Sequence, residues 1–313
     1  RRVWAMIMME AFWLAVVGFA GAVGTVGFSV AAPAMVPALV PRGSLARANG
    51  RLELARSAAY AAGPALAGAL VAWVGGAAAF VLAALLSAAA VALLWRLHEP
   101  ARTLAPARHP LREIQEGAQF VWRHEYLRPM LLTGIAWNIA WFVLQAAYVP
   151  YAVRVLGLNT EAVGFTLGMY GAGMVVGALL APRLVGAMRF GSAVQFGPAV
   201  SVAAAGVMVA TLALPHGALA GLSFFLFGAG PIIWTITTTT LRQSVTPSDM
   251  LGRVGAVFLT VNAGSRPVGA ALGAVVGATW GEAACLVMAF AGFVLQAAII
   301  LTSRLSGLKA LPK

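Results

Sequence analysis

Apolar runs of about twenty residues or more, long enough to cross a bilayer, follow one another through most of this chain. We read nine, at roughly 10–38, 47–73, 77–97, 129–153, 161–182, 191–213, 218–241, 251–279 and 282–303, joined by short connections except at 98–128. Hydrocarbon offers a backbone no hydrogen-bond partner, so a run of this kind must be a helix or part of a closed barrel. The alternation that marks barrel strands is absent, which leaves an all-α polytopic membrane protein. Composition agrees: 10% of residues are charged and 61% hydrophobic, against about 25% charged in soluble domains.

In a soluble domain a net charge of +12 would point to nucleic acid. Here the arginines are not gathered on one polar segment but stand at the ends of apolar runs. Sixteen basic residues, from Arg42, Arg47 and Arg51 through Arg183, Arg189 and Arg253 to Lys309 and Lys313, fall on one side, and only Arg154 falls on the other. Short loops rich in Lys and Arg stay inside the cell. The expectation is therefore a multi-pass protein of the cell inner (plasma) membrane, with the long connection and the C-terminus in the cytoplasm and the lipid bilayer, not nucleic acid, as its surroundings.

Part of the chain is also written twice. Pro41-x-x-x-Leu45-Ala46-Arg47 returns as Pro247-x-x-x-Leu251-Gly252-Arg253, and Gly75-x-Ala77-Ala78 as Gly281-x-Ala283-Ala284, both 206 residues on; Pro64 has a looser counterpart in Pro267. Parallel repeats of apolar sequence are a mark of secondary transporters. The copies are unequal, because four spans beginning near residue 129 precede Pro247, while only 40 residues precede Pro41. This predicts a twelve-span protein lacking its first three helices, with residues 1–9 the remnant of the third. Arg1 and Arg2 would also obey the charge rule if 3–38 formed two short spans turning near Gly21–Gly24. The expected division is a remainder of the first bundle over 1–97, a central cytoplasmic loop over 98–128, a six-helix bundle over 129–304 and a tail over 305–313. Within the loop, 110–128 reads as an amphipathic helix at the membrane surface.

Several segments carry a family resemblance: PALVPRGSLARAN at 37–49, Gly63-Pro64, EGAQFVWRHEYLRP at 116–129, VLGLNTEAVGFTLGMYGAGMVVGALLAPRL at 155–184 and LRQSVTPSDMLGRV at 241–254. Through them the chain resembles the major facilitator superfamily, and within it the bacterial branch that includes the enterobactin exporter and many drug exporters. The resemblance implies two six-helix bundles about a central cavity, alternating access, and export of a small amphipathic molecule with protons as the coupling ion. A siderophore or metabolite exporter of narrow specificity and an inactive fragment are the alternatives. Gly50-x8-Ala59-x3-Gly63-Pro64-x2-Ala67-Gly68 resembles the glycine-proline motif of exporter fifth helices, a close-packing and hinge element. Arg189-Phe190-Gly191 resembles the superfamily's cytoplasmic loop, but Met188 stands where the pattern has an Asp, which puts a carboxylate latch there in doubt.

The residues themselves offer further candidates. Asn138, Trp141 and Gln145 lie three and four apart on one apolar run and form a stripe able to line a cavity or to bond another helix; Trp234 and Thr237–Thr240 are similar but weaker. Buried charge is costly unless paired or wetted, which singles out Arg266, halfway along its run with no acid within four residues. Glu53 and Arg56 share a helical face and could pair or belong to a gate. Glycines four apart at Gly164/Gly168, Gly173/Gly177 and Gly269/Gly273/Gly277 mark close packing within the bundle or at a dimer interface.

Other functions lack their signatures. No G-x4-G-K-[ST] is present, so no ATP site is expected; no H-E-x-x-H and no Asp-rich motif appears. The single cysteine, Cys285, and the histidines His98, His109, His124 and His216 have no ligand spacing. No metal, no other cofactor and no catalytic residue is expected, and a channel lacks its filter sequence.

Overall fold

The computed structural model describes residues 23–95 and 110–312. Every regular element among them is helical: α1 (Val23–Leu39), α2 (Leu45–Trp95), α3 (Pro110–Arg123), α4 (Leu127–Arg154), α5 (Thr160–Ala187), α6 (Phe190–Ala210), α7 (Gly217–Val245) and α8 (Leu251–Leu301), with 3-10 turns at Arg42–Ser44 and Arg304–Gly307. Six stretches are long and apolar enough to cross a membrane: Ala78–Trp95 and helices α4 to α8. The choice between one span and two before residue 38 turns on residues 1–22, and Glu10 with it; these lie outside the described residues, as does 96–109 of the central connection.

The internal repeat is visible in three dimensions. Helix α8 is 51 residues long, and α2 is described over 51 residues, as far as Trp95. They start at Leu45 and Leu251, so the sequence offset holds there. A straight helix of that length would reach about 77 Å, more than twice a hydrocarbon core of about 30 Å. Each is broken once, at corresponding residues: Gly75 (φ +85°, ψ 164°) and Gly281 (φ +82°, ψ 173°). Only glycine occupies that region without strain. The break divides α8 into arms that match the expected spans 251–279 and 282–303, and in α2 it separates the expected 77–97, found as Ala78–Trp95, from the helical stretch expected at 47–73. In α8 the second arm folds back on the first, and the Cys285 thiol donates to the Gly273 carbonyl at 3.3 Å.

The core lies among α4 to α8, where Trp141, Tyr148, Tyr151, Phe224, Phe227 and Phe293 are buried together. Small residues set the spacing. A side chain at Gly269 or Gly273 of α8 would strike the α4 backbone at Ile139 and Val143, and one at Gly173 or Gly177 of α5 would strike α7 at Phe225 and Ala229. Two of the three glycine pairings expected from sequence thus pack inside the bundle; Gly164 and Gly168 meet nothing within 4 Å. Helix α3 docks on the start of α8. Val121 is fully buried with Leu127, Met130, Val254 and Val257, and Gly117 faces Arg253. The Arg253 guanidinium donates to Glu113 at 3.1 Å and to Glu116 at 3.3 Å. The amphipathic helix expected at 110–128 exists over Pro110–Arg123; Val121 and Phe120 pack on the bundle, while Ile114 and Trp122 are exposed.

Charge marks the two ends. Arg189, Arg242, Arg253 and Arg304 stand at helix ends on one side, where Arg304 pairs with Glu125 at 2.7 Å. At the other end Arg154, closing α4, pairs with Glu282 beside the α8 break at 2.9 Å.

Candidate functional site

A polar cluster sits at mid-depth between α4 and α8. Arg266 lies halfway along the first arm of α8, and its Nε donates to Asn138 Oδ1 of α4 at 3.2 Å. Asn138 donates onward to the Gly134 carbonyl (2.9 Å) and to Asn262 Oδ1 (3.3 Å), and Asn262 donates to the Phe258 carbonyl (2.8 Å). Asn262 and Arg266 are four residues apart, so one helical face presents both. Gly134 makes the approach feasible, since a side chain there would collide with Asn262. The guanidinium carbon stands 5.8 Å from the Phe142 ring centroid. Arg266 itself is exposed and has no carboxylate partner among the described residues.

Beside this cluster runs a line of aromatic rings. Trp137 stacks on Trp141 at 5.3 Å, Trp141 meets Tyr170 of α5 at 5.1 Å, and Tyr170 meets Tyr60 of α2 edge-on at 6.5 Å. The line therefore crosses from the second repeat to the first.

The repeats themselves meet in a buried network of uncharged groups. Asn49 of α2 donates to Thr240 Oγ1 (3.0 Å) and Gln243 Oε1 (2.7 Å) of α7, and Gln243 donates to the Pro33 carbonyl of α1 (2.7 Å). Asn49, Thr240 and Gln243 are all buried. Nearby, Leu54 packs with Met174, Ala178 and Ile233, Ala61 touches Gly171, and Val30 approaches Gly255. Further along α2, Leu66, Val71, Trp73 and Val74 are exposed, as is Phe165 on α5. Within the described residues, the contacts named between α1, α2 and the second repeat lie toward the arginine-rich end.

The sequence candidates divide accordingly. The stripe Asn138, Trp141, Gln145 is split among neighbours. Asn138 turns to α8, Trp141 is buried between α5 and α7, and Gln145 is half-buried with no hydrogen bond among the described residues. Spacings of three and four cover about 60° of a helix, wide enough to face more than one partner. Trp234 packs against Gly197 of α6. Glu53 and Arg56 approach only to 4.0 Å, with Glu53 much the more buried. Helix α2 runs through Gly50, Gly63, Pro64 and Gly68 without a break, and its one non-helical residue is Gly75; the surroundings of the Pro64 and Gly68 side chains lie outside the described residues. Met188 and Arg189 cap the ends of α5 and α6, and Arg189 is exposed. Gly191 is needed for packing, since a side chain there would meet the Leu305, Ser306 and Leu308 carbonyls, and its own N–H donates to Leu308 at 2.8 Å.

Sequence reasoning passed over Asn49, Gln243, Tyr60, Tyr170 and Asn262. The signal for Asn262 was present, four residues before Arg266. Asn49 and Gln243 are amides near the ends of apolar runs, and nothing in the sequence pairs them.

An apolar helical bundle built on two matching broken helices, with uncharged polar contacts between the repeats, is the architecture of a secondary membrane transporter. Residues 3–270 match the Major Facilitator Superfamily, and the chain belongs to that superfamily. It is 31% identical over 262 residues to the uncharacterised MFS-type transporter y4rN of Sinorhizobium fredii, a match covering 82% of this chain and 62% of that protein. It is 30% identical over 245 residues to the enterobactin exporter EntS of Citrobacter koseri, covering 76% of this chain and 56% of that one. The sequence resemblance to the exporter branch is thereby borne out. A bacterial homologue of the iron transporter ferroportin, crystallised in an outward-facing state, shares the fold with a TM-score of 0.64 at 17% identity, over 85% of this chain and 65% of that chain. The chain thus spans less than two thirds of the length of each of these relatives.

Proposed function

We propose that this chain works as a secondary active transporter that exports a small amphipathic molecule by alternating access, with protons as the coupling ion. The observation that carries the reading is the asymmetry between the repeats: α1 and α2 touch α5, α7 and α8 around Val30, Pro33, Asn49, Leu54 and Ala61, while Leu66, Val71, Trp73 and Val74 further along α2 are exposed. A transporter closed at one end and open at the other has this form. The charge rule places the arginine-rich, closed end in the cytoplasm, so the open end faces outward. Export direction and a narrow, siderophore-like substrate draw support from the exporter among the relatives.

The cavity wall in this reading is the face of α4, α5 and α8 that carries Arg266, Phe142, Gln145 and Tyr170. Efflux of fluorescent dyes from energised cells tests it, comparing the 313-residue chain with a form extended upstream to the length of its relatives, with and without a protonophore. Protonophore-sensitive efflux is the expected result. No efflux of any dye, by either form, with both in the membrane, would favour the narrow-specificity alternative; loss confined to the shorter form would show that the chain alone is inactive.

A further inference from the structure

The geometry points to Arg266 as the recognition site for the negative charge of an aromatic organic anion, such as an aryl carboxylate, an assignment that rests on the transport reading above. A guanidinium offers five N–H donors in a rigid fork suited to carboxylate. At Arg266 one of these is used, and its partner is neutral: Nε donates to Asn138 Oδ1 at 3.2 Å. That bond aims the group, and no carboxylate among the described residues compensates its charge. Asn138 is itself fixed by the Gly134 carbonyl and Asn262, so the guanidinium is held from behind and presented outward, where Arg266 is exposed. A cation at the middle of a span is tolerated where it faces a wet cavity. Every other ion pair in the described structure joins residues at helix ends or on one face of a helix, and none of them reaches Arg266.

The surroundings define the rest of the ligand. Phe142 lies beside the guanidinium, and Tyr170 with Tyr60 carries an aromatic contact from α5 to α2 of the first repeat. Among the described residues no carboxylate pairs with Arg266, and Glu53 of α2 is nearly buried with Arg56 as its neighbour, so the accessible charge is positive. A cationic amphiphile would meet Arg266 with like charge. An aryl anion would place its ring on Phe142 and Tyr170 and its charge on the free side of the fork.

The test is binding of three near-isosteric probes to the purified chain in nanodiscs of zwitterionic lipid: 4-nitrobenzoate, 4-nitrobenzamide and 4-nitrobenzylammonium. Nitroaromatics quench tryptophan, and Trp137 and Trp141, stacked at 5.3 Å, lie on the same helix as Asn138. The expected result is saturable quenching with nitrobenzoate preferred over the ammonium probe by about tenfold or more, the scale of one charge-assisted contact. Arg266→Gln should abolish that preference and Arg266→Lys should keep part of it. Equal affinity for all three probes, or an unchanged preference in a helical Arg266→Gln chain, overturns the assignment while leaving the transport reading in place. No saturable binding of any probe overturns the assignment, and the transport reading then stands or falls on the efflux assay. Should Arg266→Gln fail to fold, the ranking of the three probes on the unaltered chain decides.

Discussion

Replacing Asn49 with alanine should open the arginine-rich end, and the structure sets the size of the effect. The Asn49 amide is the donor to both Thr240 and Gln243. Thr240 keeps its own bond to the Ile236 carbonyl at 2.7 Å, so it loses an acceptor role only. Gln243 Oε1 loses its donor within a side chain that is only 6% exposed. Each neutral hydrogen bond is worth about 1 kcal/mol net, and a buried orphan costs about 1–3 kcal/mol. The closed arrangement should therefore lose roughly 2–4 kcal/mol, and water entering as the end opens pulls the figure toward the lower limit. Even about 2 kcal/mol shifts a two-state population more than tenfold. A cysteine at Ser57 reports it: Ser57 is fully buried, and its hydroxyl has no partner to lose. With the buried Cys285 replaced by alanine, maleimide labelling at position 57 should quicken about tenfold or more on Asn49→Ala. A labelling rate unchanged within about twofold, in a folded variant, would refute the view that this amide network holds the end shut.

Four further outcomes follow from the same structure. Gly281→Ala and Gly75→Ala force a side chain into the positive-φ region and should each cost about 1–3 kcal/mol, read as a lower Tm in detergent. Gly191→Ala sets a Cβ within 2.6 Å of the Ser306 carbonyl oxygen and should release the C-terminal segment, seen as faster hydrogen exchange at Leu308. Arg253→Ala removes both carboxylate contacts of α3 and should raise exchange throughout α3 while leaving α4 protected; unchanged exchange in α3 would show that Val121 alone holds it. In the turn between α3 and α4, burial lowers the His124 pKa, and neutral His124 accepts from the Tyr126 N–H at 3.1 Å. The folded turn thus binds its proton less readily than the unfolded chain, so its stability is full above the usual histidine range and falls as pH drops through the lowered folded value. Exchange at the Tyr126 amide should accelerate below about pH 6, and His124→Gln should remove the pH dependence.

The helices from α4 to α8 and the repeat were legible because lipid imposes one rule along the whole chain: each crossing must be a helix of about twenty apolar residues. The glycines at 75 and 281 were legible as repeat markers, and the structure adds that both occupy the same glycine-only conformation. The site was less legible. Residues on one helix can be grouped by spacing, but their partners lie on other helices. Asn138 and Arg266 were each singled out alone, and nothing in spacing joins residues 128 positions apart. Trp141 has the composition of a cavity residue and the position of a core residue. The Asn49–Gln243 contact was illegible because short amides in an apolar helix bond either to their own backbone or to a neighbour, and only the packing of α2 on α7 decides.

The central claim, that two repeats close at one end while parted at the other and exchange these states, is tested most directly by spin-label distances in liposomes. One label pair would bridge the arginine-rich end, at Arg47 of α2 and Arg189 before α6, and the other the opposite end, at Trp73 of α2 and Thr160 of α5; all four residues are exposed. The account predicts two populations in each pair, moving reciprocally when a proton gradient is imposed, so that a longer Arg47–Arg189 distance accompanies a shorter Trp73–Thr160 distance. A single fixed distance in both pairs under every gradient, or two distances that lengthen together, would contradict it.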